Sequence, residues 1–164
     1  MPITISTVRF KILGLIPLFL LFFISLNGIS VIDFKFFSIN VHYILIYYWI
    51  LRKPQALAYG YIFLSGIITD VMFGLPFGLT ALVLLIVAAT AAYVRVVTVR
   101  VSLLSDWIVF IPAILIANFV YFSVLYFSDY PVDYFYLLKN SIFTFIFYPI
   151  LWILFEILTR ITRS

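Results

Sequence analysis

Gly66-Ile67-Ile68-Thr69-Asp70-Val71-Met72-Phe73-Gly74-Leu75-Pro76-Phe77-Gly78-Leu79-Thr80-Ala81-Leu82 is the stretch on which the reading of this chain turns. It sets one acid, Asp70, inside an otherwise apolar segment and spaces Gly66, Asp70, Gly74 and Gly78 four residues apart. Trp49, Arg52, Lys53 and Pro54 precede it. A carboxylate at the centre of a membrane helix costs about 2.5–3.5 kcal/mol on insertion scales, so an acid placed there carries a role. At about 100° per residue, Gly66, Thr69, Asp70 and Phe73 fall on one helix face, where glycine admits a neighbouring backbone and Thr69 and Asp70 offer hydrogen bonds.

Working outward, apolar runs cover residues 12–32, 36–51, 56–73, 77–94, 104–127 and 134–158, broken where charges, prolines and glycines gather. About 20 residues cross a hydrocarbon core, so these runs predict six transmembrane helices, the second of them short. Arg9 and Lys11 before the first run look like the start of a signal peptide, but the run is long and lacks a small-residue cleavage site. It is expected to be a retained helix. An even number of spans places both termini on one side. Arg9, Lys11, Arg52, Lys53, Arg95, Arg100, Arg160 and Arg163 fall on that side, and only Lys35 and Lys139 on the other. The positive-inside rule makes the terminal side cytoplasmic.

Composition agrees. Of 164 residues, 66% are hydrophobic and 10% charged, with mean hydropathy +1.27, which leaves too little charge for a water-facing shell. The lipid bilayer is the solvent, residues 1–164 form a single integral membrane domain, and the net charge of +4 records orientation rather than nucleic-acid binding. Without cysteine there is no disulfide and no thiolate metal site. One histidine, His42, predicts neither a metal centre nor a cofactor site, and is expected at the outer interface. Connections of about ten residues or fewer leave little room for an extramembrane catalytic loop.

The remaining polar and small residues predict packing. Gly78, Ala81, Ala88 and Ala92 make a seam on the fourth run, with Leu85 between them, and small seams are how helices associate in lipid. The third and fourth runs are expected to form a tight hairpin through Gly74, Leu75 and Pro76. For Asp70 three roles stand open: capping the Gly74–Gly78 turn near outer water, organising helix contacts while buried, or handling a proton or ligand. It is the one carboxylate expected within the core. Asn118 should bond between helices, Pro112 and Pro149 should kink theirs, and Glu156 should pair with Arg160 at i+4. Trp49, Tyr47 and Tyr48 beside Arg52 and Lys53 read as a cytoplasmic aromatic belt.

Trp49-Ile50-Leu51-Arg52-Lys53-Pro54, then Gly66-Ile67-Ile68-Thr69-Asp70, then Gly74 through Leu82 with its closing Gly78-Leu79-Thr80-Ala81-Leu82, resembles the rod shape-determining MreD family. That family has a Trp/Arg/Pro exit from an early helix, followed by a Gly-x-x-x-Asp-x-x-x-Gly run ending in Gly-x-x-Ala-Leu. The motif-grade match covers about a fifth of the chain, with no comparable signature after Val94. The resemblance implies a subunit of the bacterial elongation machinery in the cytoplasmic membrane. It also implies association with an MreC-like bitopic protein and, through it, with the actin-like MreB, the glycosyltransferase RodA and a class B penicillin-binding protein. It further implies a fold similar to the substrate-binding subunits of energy-coupling-factor vitamin transporters. Asp70, Gly66, Gly74, Gly78, Trp49, Arg52 and Pro54 are the candidate structural and partner-contact residues.

Two other functions compete. A vitamin-like binding subunit of a transporter is suggested by the similarity of fold. Such subunits present an Ala-x-x-x-Ala surface on their first helix, whereas residues 12–32 contain no alanine. An intramembrane enzyme needs paired acids or a His-Glu-x-x-His motif, and neither is present. The expectation is a scaffold without chemistry of its own.

Overall fold

The computed structural model describes residues 15–98 and 102–161. Six helices lie among them: α1 Ile16–Leu26, α2 Val41–Arg52, α3 Tyr59–Phe73, α4 Leu79–Val97, α5 Leu103–Phe127 and α6 Tyr134–Ile161. Two short strands, β1 Val31–Asp33 and β2 Ser38–Asn40, sit between α1 and α2, and a 3-10 turn at Pro54–Ala56 separates α2 from α3.

Among the described residues, α4, α5 and α6 are the helices long and apolar enough to cross a bilayer by themselves, α6 over Tyr134–Arg160. The outward faces of α5 and α6 suit lipid, since Leu115, Phe119 and Ile150 stand exposed, while Ser25, Ser65, Thr69, Asp70, Asp106 and Thr144 are buried among the apolar core. Three long apolar helices with apolar outer faces support a membrane protein. α5 and α6 run on as helix through Pro112 and Pro149.

The first two expected spans are corrected. The described helix of the first ends at Leu26, and Gly28 then turns the chain with a φ of 66°. Residues 12–14 lie outside the described residues. The second span begins not at residue 36 but at Val41, where Asn40 caps α2 by accepting the Tyr43 N–H at 3.1 Å. Between them β1 and β2 pair antiparallel, Val31 opposite Asn40 and Asp33 opposite Ser38. Among the described residues the fold is helical apart from this one short hairpin. The cause is that Ile29–Ile32 and Phe36–Ile39 are, apart from Ser30 and Ser38, apolar and β-branched or aromatic. Hydropathy alone cannot tell such a run from the end of a helix.

α2 has 12 residues, about 18 Å at 1.5 Å each, against a core of about 30 Å. It is too short to cross by itself, and every residue from Val41 to Leu51 is buried within the protein. Extended backbone at membrane depth is tolerated only inside protein, where its polar groups find partners. β2 meets that condition: the Asn40 N–H donates to Thr144 Oγ1 at 2.8 Å, and Asn140 Nδ2 donates to Ser38 Oγ at 2.8 Å. α2 is therefore the central column, lying against α4 and α6, with α1, α3 and α5 completing the wall.

Two expectations hold here. Asn118 links three helices, accepting from Tyr43 Oη at 3.3 Å and donating to Ser141 Oγ. Glu156 pairs with Arg160 at 3.4 Å. At the opposite end of the bundle Asp33 and Lys139 form a second ion pair, 3.5 Å apart.

Candidate functional site

The α3–α4 hairpin is the tight unit that the glycine spacing predicts. Gly66 lies against Ala81 so closely that a Cβ placed on it would sit 2.9 Å from Ala81 Cβ and nearer still to that residue's N and Cα. Backbone thus touches backbone at the crossing. Ser65 and Thr69 turn their hydroxyls back onto Ile62 O and Ser65 O, 2.9 Å each, leaving no donor to disturb the contact. Gly74 ends α3 in the left-handed conformation at φ 62°, and Gly78 opens α4 at φ 90°. Both positions favour glycine because a Cβ disfavours that region.

Gly78 has no side chain with which to cap α4, and Asp70 supplies the cap from the neighbouring helix. Its Oδ2 accepts the Gly78 N–H at 2.9 Å and its Oδ1 the Thr80 N–H at 2.8 Å. These are two of the unpaired donors at a helix start, where the peptide dipoles also favour negative charge. Asp70 is 1% exposed, so two of the roles open in the sequence become one: it is buried, and it caps the turn. It does not reach outer water.

The expected face and seam need adjustment. Gly66, Thr69 and Asp70 are buried together, but Phe73 is largely exposed. On α4 the buried small residues are Ala81, Ala88 and Ala91 rather than Ala92, which with Leu85 is only half-buried. Gly78 is the cap position of α4 instead of a member of the seam.

The second group of candidate residues lies apart. α3 separates it from the first: 15 residues at 1.5 Å make about 22 Å. Trp49, Tyr47 and Tyr48 are not an interfacial belt. All three are at most 1% exposed and form the aromatic centre of the fold. Tyr47 packs on Phe110 at 4.7 Å between centroids, and Tyr48 meets Trp49 edge-on at 5.4 Å. Tyr48 Oη donates to Glu156 Oε2 at 3.0 Å. Trp49 O accepts the Lys53 N–H at 2.7 Å as α2 ends, and Pro54 opens the 3-10 turn that redirects the chain into α3.

Arg52 reveals a residue that the sequence reading missed. Its guanidinium stands 3.6 Å from Asp106 Oδ2 and 5.0 Å from the Trp152 ring centroid, while Trp152 Nε1 donates to the same carboxylate oxygen at 3.2 Å. Asp106 is 2% exposed, so Asp70 is not the lone buried carboxylate. The signal was available: Asp106 follows the α5 cap Ser102 by one turn, in an apolar run on the side rich in cations. The sequence reading instead takes Asp70 as the one carboxylate within the core.

His42 also departs from expectation. It is not interfacial but 1% exposed, its Nε2 lying 3.1 Å from Ser25 Oγ and 3.5 Å from Leu21 O. Among the described residues no three His, Cys, Asp or Glu side chains come together as a metal site would require. The two groups therefore present locks, one of backbone contact and capping, one of ion pairing and stacked rings. Comparison with protein-family models, with curated proteins and with solved structures finds no match for this chain.

Proposed function

We propose that this chain is a scaffold subunit of the bacterial cell-elongation machinery, without chemistry of its own, controlling rod shape and lateral peptidoglycan synthesis. The observation that carries the proposal is where the MreD-like pattern falls. Gly66, Asp70, Gly74 and Gly78 close the α3–α4 hairpin, and Trp49, Arg52 and Pro54 fix the exit of α2. Each of these residues holds helices in place, as a subunit that presents a fixed surface to partner helices requires.

In this proposal the protein lies in the cytoplasmic membrane, and its chain crosses six times with both ends inside. α2 crosses within a sheath of the other helices, in a fold of the energy-coupling-factor substrate-binding type. The apolar outer faces of α5 and α6 offer lanes on which a single transmembrane helix can lie. The partner is an MreC-like bitopic protein, and through it MreB, RodA and a class B penicillin-binding protein.

The test is co-purification from cells expressing the tagged full chain with an MreC-like partner. Photocrosslinkers at Leu115, Phe119 and Ile150 are expected to join it to that partner. Crosslinks found solely between copies of the chain, at wild-type membrane levels, refute the proposal.

A further inference from the structure

The β1–β2 hairpin shares one end of the bundle with the turns that join α3 to α4 and α5 to α6. Phe37, packed on Phe147 of α6 at 5.6 Å between centroids, pins the hairpin to the bundle, and Asp33 pairs with Lys139 on the same helix. Tyr130 Oη donates to Gly74 O at 3.3 Å, tying the other two turns together. Each connection carries or adjoins an exposed phenylalanine: Phe34 and Phe36 on the hairpin, Phe77 between α3 and α4, and Phe127 and Phe135 beside the α5–α6 turn. All but Phe34 are at least 75% exposed.

Rings so open are unfavourable in water, because each forgoes the gain of burial. Their neighbours do not suit acyl chains either. Tyr126, Tyr130 and Tyr134 are exposed at the same end, as are Asp129 and Asp133. Exposed carboxylates mixed with exposed rings fit the headgroup layer, where an aromatic body is buried and polar groups stay hydrated.

Charge identifies what the hairpin tip meets. Asp33 is engaged by Lys139, and Asp133 Oδ1 caps α6 by accepting the Phe135 and Tyr136 N–H groups at 2.9 and 3.1 Å. Asp129 belongs to the α5–α6 turn, not to the hairpin. Lys35, between Phe34 and Phe36, is exposed and has no carboxylate partner among the described residues; its Nζ stands 5.8 Å from the Phe36 ring centroid. An unpaired ammonium flanked by two exposed rings fits a lipid phosphate at the edge of the acyl region, with the rings immersed and the cation turned to the headgroup. We infer that this end of the bundle is a surface for the headgroup layer of a phospholipid bilayer, in which Phe34 and Phe36 are immersed and Lys35 pairs with a lipid phosphate. The inference rests on the membrane placement in the proposal above and on none of its protein partners.

The sequence contains no cysteine, so a single introduced cysteine takes a nitroxide at one place. The test uses the full chain in phosphatidylcholine nanodiscs, labelled at Phe36→Cys, at Phe77→Cys or, on the outward face of α5, at Leu115→Cys. Collision with oxygen, which is enriched in lipid, is compared with collision with a neutral nickel chelate confined to water. The Leu115 label reports membrane placement itself and should favour oxygen. Labels at positions 36 and 77 should meet both, with nickel collision about threefold or more below that of the same nitroxide on a hydrophilic peptide. Lys35→Glu should raise nickel collision at position 36 by about twofold or more and leave position 77 unchanged, whereas Lys35→Arg, which keeps the charge, should hold the original value. Nickel collision at 36 and 77 equal to that of the peptide, with Leu115 still in lipid, overturns the inference and spares the membrane placement; a water-exposed Leu115 overturns both. Exclusion of oxygen and nickel alike from position 36 means that another copy of the chain covers the tip, and overturns it too. An unchanged position 36 in Lys35→Glu overturns the pairing with phosphate.

Discussion

Replacing Asp70 by leucine removes both acceptors that close the start of α4 while keeping the same branched four-atom skeleton, with bulkier methyl groups in place of the oxygens. A hydrogen bond to a charged group is worth about 1.5–3 kcal/mol, so loss of the Gly78 and Thr80 bonds costs about 3–6 kcal/mol. Against a typical total stability of about 5–15 kcal/mol, this is a large fraction. Asp70→Asn keeps one oxygen, as a neutral acceptor worth about 0.5–1.5 kcal/mol, and turns an NH₂ donor toward the other N–H. Its cost should fall between wild type and leucine, at about 2–4 kcal/mol. Equilibrium unfolding in mixed micelles by sodium dodecyl sulfate measures the order wild type, asparagine, leucine. Hydrogen exchange at the Gly78 and Thr80 amides localises the effect, since both should lose protection ahead of the rest of α4. A leucine variant within about 0.5 kcal/mol of wild type, the usual scatter of a neutral surface change, refutes the capping argument.

Other perturbations bear on other parts of the fold. Gly66→Ala drives a methyl into the Ala81 backbone and should destabilise by about 1–3 kcal/mol in the same assay; Ala81→Gly should rescue it only in part, because N and Cα remain in the way. Arg52→Ala strands the Asp106 carboxylate, but Arg52 is itself 24% exposed, so the cost should be nearer about 1–3 kcal/mol than the full buried-pair penalty. Asp106→Asn in that background should restore part of the loss, measured by a double-mutant cycle. Reporter fusions at Ser128 should be active outside the cytoplasm and silent within it; cytoplasmic activity would reverse the orientation drawn from the charge bias.

The α3–α4 hairpin was legible because its instructions are local. Four-residue glycine spacing, a turn of Gly74-Leu75-Pro76 and one acid within reach of it specify a close crossing that no distant residue has to complete. Asn118 and the Glu156–Arg160 pair were legible for similar reasons. The β1–β2 hairpin was not, because what stabilises it lies about a hundred residues away, in Thr144 and Asn140 on α6. The aromatic run Tyr47-Tyr48-Trp49 misled because an interfacial belt and a buried aromatic core have the same composition. What separates them is Phe110, Tyr148 and Phe155 arriving from α5 and α6. Asp106 was passed over for the same reason: its meaning depends on Arg52, which is supplied by another helix.

The burial of α2 on every side bears on how the protein is made. A twelve-residue segment carrying His42 and three consecutive aromatic residues gains little from dissolving alone in acyl chains, and it is synthesised well before the α4 and α6 surfaces that enclose it. Ribosomal output therefore delivers the innermost column early and its casing late. Until α6 has been made, α2 lacks part of that casing, which makes a ribosome stalled before Tyr134 the point of greatest exposure to quality-control proteases.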